Sequence, residues 1–568
     1  MDWKQRGAFT TVKDVVEARS GLTERELLHP SPTDPSEIQN LAAAADAIKA
    51  AVAAGKHISV MGDYDADGIT GASILYCILS KLGAAPYIRL PRRMSEGYGL
   101  NISTIGEFAS GLLITVDNGI AAIEAVSAAR DAGLDVIIID HHLPQETLPN
   151  ANIIVDPHIE PEKNGFVNYC GAGLAFKLAQ MLFPHDEQFI TMMTALAAIG
   201  TIADSMPLVG DNRIIVKAGL AAMKEYRHAN SRRILLPGVR ALLRTADVYD
   251  VDEMDIGFKI GPMLNAAGRM RDDGASLSFE TLTARTEQKG MELAEQLRLI
   301  NEERKEKTAE CEAMVEAAIE MECLFYNKPM CVCVDNIPEG IVGILTGRIA
   351  ERYKTPTFIL TTSAEDPGIL KGSGRSYGNY NLMDVVTAAM PYLEKGGGHA
   401  GAAGISVREE NYAEMVNAMA RKMEDYETPE NEVLEYDLRI NADNVKAMFD
   451  DVAKYAPYGQ GNPRPVFLVN DVILSPRMGH VAKYMGKNFE HVKLFGRGYS
   501  VICFGKTDDY KSAGCPINLD VVGEISMNTF QYNSELQVEA IDFREHKKTA
   551  SSGKPTSLME ALRRNGTI

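Results

Sequence analysis

The sequence lacks long apolar runs and paired cysteines. No stretch of its 568 residues reaches membrane-spanning length, and the start, MDWKQRGAFTTVKDVVEARSG, has no apolar signal-peptide core. The eight cysteines are scattered and form no CxxC pair, which argues against a disulfide framework. We therefore expect a reduced, cytoplasmic protein that does not associate with membranes.

The sequence also lacks net positive charge, since 77 acidic residues outnumber 58 basic ones and the formal net charge is −19. Non-specific wrapping of DNA requires a broad positive surface and is therefore disfavoured. The composition leaves room for a local basic groove that binds nucleic acid, and the excess of acids suits divalent cations.

The chain has ample core material. Hydrophobic residues make up 45% of it, and its length predicts three or four domains. We predict an N-terminal segment (1–45), a catalytic domain (46–215), a helical region with a connector helix (216–325), a second α/β domain (326–425), a β domain (426–545) and a tail (546–568).

Short apolar strands alternate with helices between residues 57 and 205. The strands are HISVM (57–61), YIRLP (87–91), LLITV (112–116), DVIIID (135–140) and IIVD (153–156). Continuous apolar strands between helices are typical of a doubly wound parallel sheet. Farther along, the apolar period and charge pairs of residues 286–323 predict a long, partly solvated connector helix.

Two further patterns follow. Residues 328–408 return to strand–helix alternation, which predicts a second, smaller α/β domain. From about residue 430 the strands are short, alternating and rich in glycine, which is typical of an antiparallel module. We expect a small β-barrel there.

Acidic residues follow the predicted parallel strands. Asp63, Asp117 and Asp140 each stand at the carboxyl end of one strand, and in an open α/β sheet those ends face one crevice. The side chains that we expect to converge there are Asp63, Asp65, Asp67, Asp117, Asp140, His141, His142 and Asp204.

Carboxylates crowded in this way either share protons or bind metal. Oxygen ligands with one or two imidazoles suit Mn²⁺ or Mg²⁺, whereas structural zinc sites prefer thiolates. So many ligands favour a bridged pair of ions about 3.5–4 Å apart, as in enzymes that cut phosphate esters. The structural alternatives are a calcium loop, whose downstream glutamate is missing here, and simple helix capping.

DYDADG, VDNG, DHH and the AD pair at 203–204, in this order, resemble the DHH phosphoesterase superfamily. GSGRS (372–376) and GGGHAGAAGIS (396–406) are similar to its accessory DHHA1 domain. Together with PRRMSEGYGLN, CGAGLAFKL, GPMLNAAGRM and YGQGNPRPVF they resemble the RecJ family of single-strand-specific exonucleases, from about residue 40 to 545. The resemblance implies an α/β protein with a DHH domain, a DHHA1 domain and a C-terminal OB-like barrel.

The resemblance also implies roles for the acids and histidines of the crevice. Asp117 would bridge two metals, and Asp140 and His142 would face the substrate or orient His141. The positions that match metal ligands are Asp63, Asp65, Asp117, His141 and Asp204.

This chain departs from its relatives just before the first aspartate. Small-molecule members carry a histidine where this chain has Ser59, and RecJ-like members often carry one where it has Met61. Asp67 is the natural substitute as a ligand.

The glycine-rich GGGH segment predicts a phosphate site. Its glycines, including Gly397 and Gly398, allow backbone N–H groups to approach a phosphate, and His399 and Arg375 can donate to the same group. The plain alternative is a tight turn with a structural histidine. By resemblance, a terminal 5′ phosphate would be bound by Ser373 and Arg375, with help from Arg93 and Arg269.

Basic and aromatic residues interleave between positions 477 and 506 of the C-terminal module. Positive charge combined with aromatic stacking is how small barrels bind single strands. For most of the aromatics, filling of the barrel is the simpler interpretation. The cations that we predict to contact nucleic acid are Lys483, Lys487, Lys493 and Arg497.

The sequence leaves three functions open. The leading hypothesis, whose polarity and strand preference come from the resemblance, is a Mn²⁺- or Mg²⁺-dependent 5′→3′ exonuclease that hydrolyses single-stranded DNA to 5′-mononucleotides in repair and recombination. The alternatives are a phosphodiesterase for cyclic dinucleotides or short RNA, and a non-catalytic DNA-binding scaffold. We expect single-stranded DNA, a helicase and a single-strand-binding protein as partners of a monomer.

Overall fold

The computed structural model describes residues 2–227, 234–248, 250–363, 366–426, 433–530 and 533–547. The chain folds into two compact units. The larger contains residues 25–430 and 457–462, and the smaller contains residues 1–24, 431–456 and 463 onward. The predicted N-terminal segment is therefore shared between the units, and the predicted tail lies outside the described residues from position 548.

The strands within the described residues are numbered in chain order. They are β1 (Asp2–Gln5), β2 (His57–Met61), β3 (Tyr87–Arg89), β4 (Gly111–Val116), β5 (Asp135–Ile139), β6 (Ile153–Val155), β7 (Met330–Cys333), β8 (Thr357–Thr362), β9 (Ile369–Arg375), β10 (Leu393–His399), β11 (Ala402–Arg408), β12 (Val433–Tyr436), β13 (Leu438–Asn441), β14 (Val466–Ile473), β15 (Ala482–Met485), β16 (His491–Phe495), β17 (Ser500–Cys503), β18 (Asn518–Phe530) and β19 (Asn533–Glu545).

The α-helices follow the same order. They are α1 (Val12–Ser20), α2 (Glu24–Leu28), α3 (Leu41–Ala53), α4 (Ala66–Lys81), α5 (Ile123–Asp131), α6 (Gly171–Leu182), α7 (Glu187–Ala203), α8 (Gly210–Lys224), α9 (Pro237–Thr245), α10 (Glu253–Asp255), α11 (Gly261–Met270), α12 (Gly274–Leu282), α13 (Glu287–Met321), α14 (Glu339–Tyr353), α15 (Leu382–Ala389), α16 (Tyr412–Met423), α17 (Val445–Ala453) and α18 (Thr507–Ser512). In the described part of the chain, none of the helices is both long and apolar enough to span a membrane.

The first domain of the larger unit is built on a parallel sheet. Its order is β3-β2-β4-β5-β6, and every neighbouring pair is parallel. Alternate side chains of the strands enter two separate cores, one shared with α3, α4 and α6 and the other with α5. Helices therefore cover both faces, which confirms the predicted doubly wound fold.

The predicted connector helix is α13. The side chains of Leu293 and Leu297, near its start, pack into the core of the first domain. Cys311, Val315 and Ile319, near its end, pack into a core with β7 and α14 of the second domain. One continuous helix thus belongs to both domains.

The second domain contains a sheet of order β10-β11-β9-β8-β7. Only the β7–β8 pair is parallel, and the other three pairs are antiparallel. The three glycines of GGGH lie in strand β10, paired with β11, and not in a turn. The turn of this hairpin falls at residues 400–401.

The smaller unit contains a seven-stranded sheet of order β13-β14-β18-β19-β17-β16-β15. Four of its neighbouring pairs are antiparallel, as predicted for the OB-like domain. Two pairs, β13–β14 and β17–β19, are parallel, so the sheet of this module is mostly but not wholly antiparallel. The chain passes through α17 between β13 and β14, and such a crossover returns the second strand in the same direction.

Candidate active site

The first two acids of the cluster are brought together by the turn between β2 and α4. Asp65 caps α4 and accepts from the backbone N–H groups of Asp67 (3.0 Å) and Gly68 (3.1 Å). Any side chain at Gly68 would put a Cβ 2.5 Å from the Asp63 nitrogen. The DADG order therefore lets the helix start directly against Asp63, which is buried.

Asp67 is held by the start of another helix. Its carboxylate accepts from the N–H groups of Gly171 (2.7 Å) and Ala172 (2.9 Å) at the N-terminus of α6. Helix N-termini carry unpaired donors and a partial positive charge, so they stabilise a buried carboxylate. The CGAGLAF stretch thus contributes backbone donors to the acidic cluster.

Asp117 follows β4 in a strained conformation. Its φ of 61° lies in the left-handed region, which is uncommon for a residue with a side chain. Three contacts hold this turn: the Asn118 amide donates to the carbonyls of Met61 and Val116, and the Tyr98 hydroxyl donates to the Asp117 carbonyl at 2.6 Å. The strain aims the buried Asp117 carboxylate toward His141, whose Nε2 is 3.0 Å away.

Asp140 organises the histidine pair. Its carboxylate accepts from the Ile120 N–H (2.9 Å), the His141 N–H (2.8 Å) and Nδ1 of His142 (2.8 Å). Burial alone would raise the pKa of Asp140, but the bonds from His142 and Ile120 hold it below its ordinary value. Burial alone would lower the pKa of His142, but its hydrogen bond to Asp140 raises that pKa to about 9. Asp140 therefore orients His142 and keeps a positive charge beside the cluster.

Three overlapping groups of ligand atoms result, each with its atoms within 4.8 Å of one another. All the residues that we predicted as metal ligands occur in them, and Asp117 belongs to two groups. The groups are Asp63–Asp65–Asp117, Asp67–His141–Asp204 and Asp117–His141–His142.

The electrostatics of the cluster fit divalent cations. Burial, together with neighbouring carboxylates, raises the pKa of Asp63 and Asp117 well above the ordinary range and that of Asp204 to about 8. The Asp63 Oδ1 atom is buried and has no hydrogen-bond partner among the described residues. Divalent cations would offset the repulsion between these carboxylates and give the Asp63 oxygen a partner. Mn²⁺ and Mg²⁺ prefer such sites of oxygen ligands with one imidazole.

Ser59 and Met61 do not contribute ligands. Both are buried in strand β2, and the Met61 side chain packs into the core shared with α5. The geometry brings Asp67 to the group containing His141 and Asp204, and not to the group of Asp63. Asp67 as a metal ligand remains a prediction, and so do the other assigned roles.

A cavity of about 610 Å³ lies between the first domain and the second. Five of the predicted phosphate ligands line it: Arg93, Arg269, Ser373, Arg375 and Gly397. Gly398 and His399 are not among the lining residues.

The guanidinium of Arg375, at the cavity, is held in place by its neighbours in strand β9. Its Nη1 donates to Ser373 Oγ (2.9 Å) and to the Gly374 carbonyl (2.8 Å). The absence of a side chain at Gly343 leaves space for the guanidinium, because a Cβ there would lie 3.0 Å from Nη2. Burial lowers the pKa of Arg375, and no carboxylate among the described residues pairs with it. A half-buried cation without a counter-ion suits an anionic ligand.

The smaller unit carries the other predicted cations. Lys483 of β15 and Lys493 of β16 stand directly opposite each other, and Lys493 also pairs with Glu535. Lys487 and Arg497 are exposed at the turns that flank β16 and, among the described residues, have no ion pair. Phe489 and Phe504 are 64% and 51% exposed, so filling of the interior does not account for them.

The YGQGNP stretch supports the site without contributing a predicted site residue. Residues 457–462 belong to the larger unit although the flanking segments do not. The Gln460 carbonyl accepts from the Leu208 N–H at 2.7 Å, and Gly461 packs against Pro207. This segment therefore holds the loop that follows Asp204. In the sequence, this stretch stood out by its two glycines, Gly459 and Gly461, and by the resemblance of YGQGNPRPVF to the RecJ family.

Three family models match the chain. They are the DHH family N-terminal domain (57–201), the DHHA1 domain (327–425) and the RecJ OB domain (436–542). The Single-stranded-DNA-specific exonuclease RecJ of Bacillus subtilis is 32% identical over 89% of this chain, which spans 63% of that relative. The protein of the same name from Haemophilus influenzae is 32% identical, with 82% of each chain covered.

A solved structure is similar over nearly the whole chain. The crystal structure of RecJ in complex with Mn²⁺ from Thermus thermophilus superposes with a TM-score of 0.76 at 27% identity, covering 97% of this chain and 79% of that one. The structure of RecJ in complex with Mg²⁺ from the same organism gives a TM-score of 0.70 at 26% identity.

Proposed function

The chain belongs to the RecJ family, and from that premise we propose that it is a metal-dependent exonuclease that shortens single-stranded DNA from its 5′ end and releases 5′-mononucleotides. One observation carries the proposal: the acidic cluster and an arginine-lined cavity occur in the same compact unit. A strand end held in the cavity would present a phosphodiester to the cluster.

Each residue of the cluster has a definable task. Asp63, Asp65, Asp117, His141 and Asp204, with Asp67, would hold two divalent cations. When bound, such cations supply an activated water and neutralise charge on the phosphate oxygens. His142, kept protonated by Asp140, donates a hydrogen bond toward the substrate and stabilises negative charge there.

The cavity would select the strand end. Arg375, oriented by its bond to Ser373 Oγ, would bind a terminal phosphate together with Ser373, and Arg93 and Arg269 would add charge from the first domain. The OB domain would bind the strand farther along through Lys483, Lys487, Lys493 and Arg497. As part of this proposal, a cytoplasmic monomer works in repair and recombination with a helicase and a single-strand-binding protein.

The test is digestion of end-labelled single-stranded and duplex DNA with Mn²⁺. We expect mononucleotides from the 5′ end of the single strand and little from the duplex. Asp117→Ala should abolish cleavage and leave DNA binding largely intact, whereas Asp131→Ala, an exposed acid at the end of α5, should match the wild type. Equal rates on both substrates, or turnover of dinucleotides only, would contradict the proposal.

A further inference from the structure

The outer face of the OB domain carries a group of cations around strand β16. Leu494 is fully buried, so its neighbours Lys493 and Phe495 point to the opposite side of the sheet. Lys483 of β15 stands opposite Lys493 and therefore shares this side. The guanidinium of Arg477 lies over the Phe495 ring, 5.2 Å from its centre. Three cations and an aromatic ring thus occur together on one face.

Glu535 of β19 lies between two of these cations. Its Oε1 accepts from Nη1 of Arg477 at 2.5 Å, and its Oε2 accepts from Nζ of Lys493. Burial alone would raise the pKa of Glu535, but the bonds from Lys493 and Arg477 hold it below its ordinary value, so the carboxylate stays ionised. Among the described residues, neither cation forms an ion pair with another carboxylate. Each carboxylate oxygen therefore serves a different cation.

This arrangement resembles that of a bound phosphodiester. A carboxylate and a phosphate diester both present two charged oxygens, and arginine binds either group with the same fork of N–H donors. The side chain of Glu535 is 25% exposed and that of Arg477 is 44% exposed, so a ligand can reach both. Ion pairs this open add little to stability, and another anion can therefore replace the carboxylate at little cost.

We propose that Arg477 and Lys493 form a site for a backbone phosphodiester of single-stranded DNA, and that Glu535 occupies this site until the strand displaces it. An exonuclease must let its strand move after each cut. An internal carboxylate that takes the place of a departing phosphate keeps both cations paired during that movement. The inference rests on the proposed function, because it assumes a single-stranded substrate.

Binding measurements in EDTA test the competition, because the strand is not cut without metal. We would measure the affinity of the full-length protein for a fluorescent 5′-hydroxyl single strand of about 20 nucleotides. The variants are Glu535→Gln, the double variant Arg477→Gln/Lys493→Gln and the triple variant that combines all three changes. Glu545→Gln is the matched control, because Glu545 is exposed on the same strand and has no ion pair among the described residues.

For Glu535→Gln we expect about three- to tenfold tighter binding, because the strand no longer has to break two ion pairs. The gain should be largest at low salt, since salt screens these interactions. In the background of the double variant, the same change should alter the affinity by less than about twofold. Glu545→Gln should match the wild type, and the melting temperature of Glu535→Gln should change little.

Unchanged or weaker binding by Glu535→Gln would overturn the inference, because the acid would then be only a counter-ion or a group that orients the cations. A gain that persists in the triple variant, or that Glu545→Gln reproduces, would indicate general repulsion and would also overturn it. A wild type that does not bind the strand would refute the proposed function itself. If Glu535→Gln does not fold, Glu535→Ala carries the same expectations.

Discussion

Replacing Arg375 should remove the preference of the enzyme for a 5′ phosphate. The guanidinium is fixed in place by Ser373 Oγ and the Gly374 carbonyl, which use one terminal nitrogen and leave the other for the ligand. A hydrogen bond to a charged group contributes about 1.5–3 kcal/mol. Arg375→Ala should therefore lower kcat/KM for a 5′-phosphorylated strand by about 10- to 150-fold.

The effect should be specific for that end group. A 5′-hydroxyl strand has no terminal phosphate to lose, so its kcat/KM should change by less than about threefold. Arg375→Lys keeps the charge but loses the planar fork, and we expect an intermediate loss for the phosphorylated strand. Arg408→Ala is the control on the neighbouring strand β11, because Arg408 is exposed and pairs with Glu394.

The assay is single-turnover digestion of 3′-labelled oligonucleotides that differ only at the 5′ end. An equal loss of kcat/KM on both substrates would mean that Arg375 supports the fold or the metal site and not the end group. No loss on either substrate would mean that the cavity is not part of the binding site. Either result would refute the assignment of Arg375 to the terminal phosphate.

Three further predictions concern the acidic cluster, the loop after it and the OB domain. In EDTA the stability of the protein should fall as the pH rises from roughly 4 to 8, because the pKa of Asp204 is raised to about 8 in the fold, and in this range the fold keeps a proton that the unfolded chain has released. Mn²⁺ should remove this loss in thermal melts, and a flat profile in EDTA would contradict it. Gly461→Ala should destabilise the protein by about 1–3 kcal/mol in urea titrations, because the φ of Gly461 is +74°. The same change should displace the loop after Asp204 and so weaken Mn²⁺ binding in calorimetry. Unaltered Mn²⁺ affinity would argue against a link between Gly461 and the metal site. The double variant Lys483→Ala/Lys487→Ala should bind a single strand more weakly and with a smaller salt dependence. Lys446→Ala on α17 is the control and should leave both properties unchanged. Equal effects of the double variant and the control would mean that the charge of the domain acts non-specifically.

The sequence was sufficient to locate the acidic cluster because topology alone brings it together. Asp63, Asp117 and Asp140 follow three parallel strands, and a doubly wound sheet leaves no other place for them than one edge. The order of the strands does not, however, predict which side chains of the cluster contact one another. Asp67 was predicted to replace the ligand that is missing at Ser59 and Met61, and its carboxylate is held by α6 and faces His141.

Features that depend on tertiary contacts were not predictable. The left-handed turn at Asp117 depends on Asn118 and Tyr98, which are local in the structure but carry no special signal in the sequence. The polar side chains in the middle of α13 looked like an ordinary solvated face, since only the positions of both domain cores reveal that Arg304 is buried. The parallel strand pairs of the OB domain likewise depend on long-range pairing, which alternation along a strand does not encode.

Apart from the bond of His142 to Asp140, the acidic cluster is held in place mainly by backbone donors. Asp65 and Asp67 accept from helix N-termini, and Asp140 accepts from the Ile120 and His141 N–H groups. A lysine or arginine at these positions would neutralise the carboxylates and compete with cations for their oxygens. Amide donors fix the geometry while leaving most of the negative charge in place. The Asp63 oxygen that lacks a partner among the described residues is therefore consistent with a site arranged in advance for cations, at a cost in stability that their binding offsets.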